Sequence, residues 1–328
     1  MDVSAQELAN QAAQVAINPE NPIYSTNWCD LPVEMQFECI KWMNFKTRTR
    51  LGATSHTEKS LVEAKKYHFD TVKLTYFDER RGEHFNLTVE DIHVESVIDL
   101  EKTLNCFEKI VKAGQIDTIE YTVPYLWQLG KATDTNRFKD FGPIRCKTFK
   151  YWGRHPMGSR RLLRFCEGVE TIFLYNRYDS LEARDVYHLF NTPTIFNARH
   201  IQIDGFQSLC RGVDQIVQIW IDNNAEVGKS IRFAGNLMAI LSFGDTFKNR
   251  VIYENDDEVR IRTDDELKHI LISCVKKSQS KRFFSCTIIP SNLLESEYEK
   301  DDQWVGEMEN ENENNPILHL NRDRSYAM

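Results

Sequence analysis

The chain has 328 residues, 41% hydrophobic and 11% aromatic, with a formal net charge of −8; that is ample for a core, in one large domain or two of ordinary size. No apolar run approaches the ~18 residues of a membrane span, and the opening "MDVSAQELANQAAQVAINPE" carries no basic, then apolar, leader, so neither a membrane nor a secretory segment is expected. Nine acids and one lysine between Glu295 and Asn314 hold a net charge of −8, so the remainder is near neutral, which argues against a protein that grips nucleic acid through a basic field.

Residues 1–26 read as a loose or helical arm ending in the turn cluster "NPENP". Over 27–66 three short helices are expected. Asp30 is placed to cap the first, and Pro32 suits its first turn, where a missing N–H costs nothing. Met35, Cys39, Ile40 and Met43 follow at helical spacing. A second helix runs from Phe45 past Leu51, and a third carries Leu61 and Val62. Gly52 weakens the second by about 1 kcal/mol relative to alanine.

From residue 67 the pattern changes to a recurring apolar-x-x-apolar-x-apolar motif with β-type residues. It stands as "FDTVKL" at Phe69, "IDTIEY" at Ile116, "CKTFKY" at Cys146, "VETIFL" at Val169, "ARHIQI" at Ala198 and "GKSIRF" at Gly228. The starts are 47, 30, 23, 29 and 30 residues apart, with helix-like stretches between them. Leu100, Leu104, Phe107 and Val111 share one helical face, as do Leu209, Val213, Ile216, Val217 and Trp220. One strand and one helix per unit, near the leucine-rich-repeat period of about 20–29 residues, predicts stacked units over 67–290. A generic α/β domain would also place such motifs where strands precede helices.

"NRVIYENDDEVRIRT" alternates about Asn-Asp-Asp and reads as a hairpin. Thr263 and Glu266 have capping-box spacing, and Leu267, Ile270, Leu271, Cys274 and Val275 make a helix face, with "FFSCTIIP" as a last strand. The expected fold class is therefore α/β: an N-terminal three-helix segment, a leucine-rich-repeat-like strand-helix body, and a C-terminal hairpin-helix cap. Residues 291–328, rich in Glu and Asn, read as an acidic disordered tail.

Chemistry is hard to find. "GKS" at Gly228 lacks the opening glycine of a phosphate loop, because that position is Asn223. No H-E-x-x-H or G-x-S-x-G occurs, and the nine histidines are scattered singly. The eight cysteines contain no C-x-x-C pair, which reads as reduced thiols of the cytosol or nucleus and as neither a disulfide framework nor a zinc site. No catalytic residue, metal or cofactor is expected. A stacked sheet leaves one face open, and Lys147, Lys150, Glu170, Phe173, Tyr175, Gln202 and Asp204 fall at its outward positions. Phe173 and Tyr175, with Arg154, Arg160 and Arg161 of "GRHPMGSRRLLRF", are the candidates for binding a target, the arginines favouring acidic or phosphorylated groups.

"DLPVEMQFECIKWMNFKTRTRLGATSHTEKSLV" resembles the F-box, in particular that of the nematode families of F-box proteins with an F-box-associated domain of the FTH kind. "DSLEARDVYHLFNTPTIFNARHIQIDGF" followed by "VDQIVQIWIDN" is similar to that associated domain. Thr54, Ser55 and Glu58 stand where a typical F-box carries Val-Cys and then Trp. The resemblance implies a non-enzymatic receptor subunit of an SCF-type cullin–RING ubiquitin ligase. Leu31, Pro32, Met35, Ile40, Met43 and Leu51 would meet the adaptor subunit, and through it a cullin, while the body recruits a target protein. An interaction scaffold that delivers no target and an α/β enzyme are the alternatives.

Overall fold

The computed structural model describes residues 27–79, 82–90, 92–95, 100–123, 137–153, 158–176, 183–204, 212–235, 243–277, 282–294 and 297. The chain forms two compact units, residues 1–65 and 66–328.

The first unit contains a 3-10 turn, Trp28–Asp30, and helices α1 (Val33–Trp42), α2 (Phe45–Gly52) and α3 (His56–Ala64). Asp30 does not cap α1, contrary to expectation: it is consumed in the 3-10 turn, Leu31 is extended, and Pro32 takes the N-cap position. Pro32 suits this start, because its carbonyl accepts from Met35 N and Gln36 N at 2.9 and 3.1 Å. Side chains cap the other two helices. Asn44 accepts from Thr47 N at 2.8 Å, and Ser55 from Glu58 N at 3.3 Å.

The second unit is built on a sheet. In chain order it comprises β1 (Tyr67–Glu79), β2 (Gly82–Val89), β3 (Ile92–Glu95), α4 (Leu100–Ala113), β4 (Gly114–Val123), α5 (Arg137–Asp140), β5 (Ile144–Gly153), α6 (Arg160–Leu163), β6 (Cys166–Glu167), β7 (Thr171–Asn176), α7 (Ala183–Phe190), α8 (Pro193–Asn197), β8 (His200–Asp204), α9 (Val213–Asp222) and β9 (Ser230–Gly235). Strands β10 (Val251–Glu254), β11 (Glu258–Arg262), β12 (Lys268–Lys277) and β13 (Arg282–Pro290) complete it. The spatial order is β10-β11-β12-β13-β9-β8-β7-β5-β4-β1-β2-β3, with β6 beside β5.

All six motif copies fall at or just before the strands of the parallel run, β1, β4, β5, β7, β8 and β9, each pairing with the next in chain order. The motif explains its own geometry. Phe69, Val72 and Leu74 are fully buried, as are Ile116, Ile119 and Tyr121 on the next strand. The residue between the last two positions points to the other face, where Lys73 is exposed and Glu120 half-buried. The helical connections supply the rest of the core, with Leu104, Phe107 and Ile110 of α4 and Val213, Ile216, Val217 and Trp220 of α9 buried. Such side chains contribute about 1.5–3 kcal/mol each on burial. Leu209 lies outside the described residues.

The C-terminal part differs from the expected hairpin-helix cap. The hairpin is present as β10 and β11, but the expected helix over Leu267–Val275 is strand β12. "HILISCV" is a continuous apolar run that fits either state by periodicity. Pairing decides it, because β12 has an antiparallel partner on each side, β11 and β13. Thr263 does not cap a helix: its hydroxyl accepts from Asp265 N and lies 2.9 Å from the carbonyls of Asp265 and Lys268, which closes a turn. The body also extends past residue 290. Buried Arg260 donates to the carbonyls of Leu293 and Ser291 at 2.8 Å and of Pro290 at 3.4 Å. The acidic stretch beyond residue 297, and the arm over 1–26, lie outside the described residues.

Candidate functional site

In the first unit the site is one face of α1. At 100° per residue, Pro32, Met35, Cys39 and Trp42 fall within an arc of about 80°, while Val33, Phe37 and Ile40 fall on the opposite side. Burial separates the ends of this division, although Val33 on the opposite side is itself 45% exposed and Phe37 half-buried. Ile40 is fully buried, whereas Met35 is 53% and Trp42 82% exposed. Pro32 is exposed and Cys39 half-buried, so the outward stripe is apolar along its length. Glu38 and Lys41 flank it, 3.7 Å apart, and Lys41 Nζ sits 5.8 Å from the Trp42 ring centroid. Exposed charge at the margins and apolar surface along the centre are the anatomy of a protein-docking face.

The residues expected to meet the adaptor separate accordingly. Pro32 and Met35 are on the stripe, Leu31, Met43 and Leu51 are half-buried, and Ile40 is interior, where it packs the segment and presents no surface. Trp42 was not expected. Its signal was legible as the i+7 partner of Met35 and the i+3 partner of Cys39.

A buried cation holds this unit together. Arg48 of α2 is 5% exposed and donates through Nε to Met43 O at 3.2 Å and through its terminal nitrogens to Lys41 O at 3.3 Å and Lys65 O at 3.4 Å. It therefore satisfies carbonyls at the ends of α1 and α3, which a helix leaves without partners.

In the second unit the candidate surface is the sheet face away from the motif's buried positions. Adjacent strands align Lys73, Glu120, Lys150, Phe173, Gln202 and Arg232 in one transverse row. The next row aligns Trp152, Tyr175 and Asp204. Trp152 and Tyr175 stack with ring centroids 3.8 Å apart, and Phe173 lies parallel to Tyr175 at 6.3 Å. Lys150 Nζ is 5.3 Å from the Phe173 ring, a cation–π contact. Lys73 is paired with Glu120 at 2.9 Å. Burial, then the charges of Arg199 and Arg232, holds the nearby His200 imidazole below its ordinary value.

This face is less open than the sequence implies. Phe173 and Lys150 are half-buried and Lys147 and Glu170 exposed, but Tyr175, Gln202 and Asp204 are buried. The Gln202 amide nitrogen finds no hydrogen-bond partner among the described residues. The arginines do not join Phe173. Arg154 lies outside the described residues, and α6, which carries Arg160 and Arg161, is on the other side of the sheet. There Arg161 acts electrostatically on buried Tyr121 and Tyr151, which point away from the Trp152 face. The chain comes so close to Tyr151 that a Cβ on Gly158 would lie 2.2 Å from its hydroxyl. Lys229, in the "GKS" stretch, is also committed internally, to Phe196 through its backbone carbonyl and its ring.

Residues 28–70 match the family model of the F-box domain. The match covers α1, α2, α3 and the start of β1, and takes in no other strand of the body. F-box domains bind the adaptor subunit of SCF-type ubiquitin ligases, so this segment indicates an adaptor or protein-interaction role. No curated protein and no solved structure matches the chain. No helix among the described residues is long and apolar enough to cross a membrane.

Proposed function

We propose that the protein is a receptor subunit of an SCF-type cullin–RING ubiquitin ligase, acting in the cytosol or nucleus, which docks on the adaptor through residues 27–66 and recruits a target through the sheet body. The observation that carries this reading is the F-box match over 28–70 on a helix whose outward stripe, Pro32, Met35 and Trp42, is apolar and exposed. A surface of this kind costs solvation until a partner covers it. For the body, the parallel strands follow one another in chain order, as in stacked strand-helix repeats of the leucine-rich kind, and such folds bind along the open sheet face. On that face a half-buried Phe173 beside a half-buried Lys150 offers a ring and a cation to a target segment. The role is binding and presentation rather than catalysis, and it invokes no cofactor.

The test is capture of the adaptor by the full chain, compared with the Leu31→Ala/Pro32→Ala double variant. Truncated interface anchors typically cost about 2 kcal/mol or more, so a loss of about thirtyfold in affinity is expected with the variant still folded. Unchanged affinity by calorimetry would overturn the reading. A chain that binds the adaptor but supports no target ubiquitination would be the scaffold of the alternative reading.

A further inference from the structure

We infer that the N-terminal ends of β1 and β4 form a binding site for a divalent transition-metal ion of the zinc class, with His68, Asp70 and Asp117 as its three protein ligands. His68 and Asp70 are two apart on β1, so both point to the same face, and Asp117 is beside them on β4, where Phe69 pairs with Ile116 and Thr71 with Thr118. One ligand atom from each residue lies within 4.8 Å of the other two. The two separations from His68 bracket that of a tetrahedral ion. His68 Nε2 is 2.8 Å from Asp117 Oδ2 and 3.6 Å from Asp70 Oδ1. Bonds of about 2.0–2.1 Å from zinc to nitrogen and oxygen put ligand atoms about 3.3 Å apart, between those two values. Small side-chain shifts therefore admit the ion, and the sheet backbone fixes where the three residues start.

The surroundings fit a three-ligand site with one open position. Lys147 Nζ lies 3.2 Å from the other oxygen of Asp117, which orients the carboxylate and leaves Oδ2 to the ion. Side-chain exposures of 54% for His68 and 93% for Asp70 leave the fourth position to water or to an acidic group of a partner. Coordination uses the Nε2 lone pair, so the ring proton resides on Nδ1. One imidazole and two carboxylates favour zinc and its neighbours over calcium or magnesium, which take oxygen ligands and higher coordination numbers.

The experiment is calorimetric titration of zinc chloride into the full chain, beside His68→Ala and Asp117→Asn, in buffer with a non-thiol reductant. Circular dichroism checks that the exposed-site variants stay folded. One equivalent bound by the parent chain, weakened at least tenfold in each variant, is the expected result. Absence of binding by the parent chain would overturn the inference. So would equal binding by the variants, which would assign the metal to the cysteines.

Discussion

Trp152 and Tyr175 occupy paired positions on neighbouring parallel strands and lie face to face, with centroids 3.8 Å apart and 8° between their planes. Both are buried, although they point to the sheet face opposite the helices' core. The stack is therefore a second, smaller core. Trp152→Ala should cost about 3 kcal/mol of stability, as large-to-small aromatic truncations do. Phe173→Ala, at the stack's half-buried margin, should cost about 1 kcal/mol. Urea unfolding followed by far-ultraviolet circular dichroism measures both, and equal costs would show that the stack is not a core.

Helix α1 makes a second contrast. Ile40→Ala removes a fully buried side chain and should destabilise the first unit by about 2–5 kcal/mol. Trp42→Ala, at an 82% exposed position, should leave stability within about 0.5 kcal/mol of the parent while weakening adaptor affinity at least about tenfold. Thermal melts and calorimetry with the adaptor separate the two, and the reverse pattern would remove the stripe from the contact surface.

Arg48 should be irreplaceable in the first unit. Its guanidinium reaches three carbonyls in two directions, and Arg48→Met leaves them without their donor, at a cost of about 2 kcal/mol. Lysine should not restore the loss, since one ammonium on a flexible stem lacks the planar fork. A full rescue in the melting temperature by Arg48→Lys would refute this account.

The C-terminal hairpin should respond to acid. His269 Nδ1 accepts from Arg260 Nε at 3.0 Å, so the ring must be neutral there. Burial, then the charges of Arg260 and Arg262, keeps the imidazole below its ordinary value. Below about pH 6.5 the unfolded chain takes up a proton that the folded chain refuses. Stability is thus full above that value and falls as pH drops toward the folded titration point. His200, lowered in the same direction, adds to the slope. His269→Gln, which still offers an acceptor but does not titrate, should make stability less pH-dependent in urea titrations between about pH 7.5 and about 5.5. An unaltered slope would show that His269 is not responsible.

Local chemistry written in consecutive residues was legible in the chain itself. The motif at Phe69, Ile116, Cys146, Val169, Ala198 and Gly228 marks the six parallel strands, because alternation across a pleat is a property of neighbouring residues. The three short helices of 27–66 were legible for the same reason, as was the F-box, the part of the resemblance that the match at 28–70 supports. The start of α1 was not, since whether Asp30 caps a helix or closes a 3-10 turn depends on the path of Leu31.

What the sequence determined by itself was the recurring apolar pattern of the six parallel strands and of helices α4 and α9, and that the charge is concentrated between Glu295 and Asn314. What only the tertiary structure decided was partnership between distant residues. Lys268–Lys277 became a strand because β11 and β13 pair with it from both sides, which no local propensity encodes. Arg161 fell on the opposite side of the sheet from Phe173, although the two are only twelve residues apart. His68 and Asp117, singly placed and 49 residues apart in sequence, came within 2.8 Å because β1 and β4 lie side by side. Side-chain chemistry of this kind depends on separations of a few ångströms, and the folding of the sheet sets those separations.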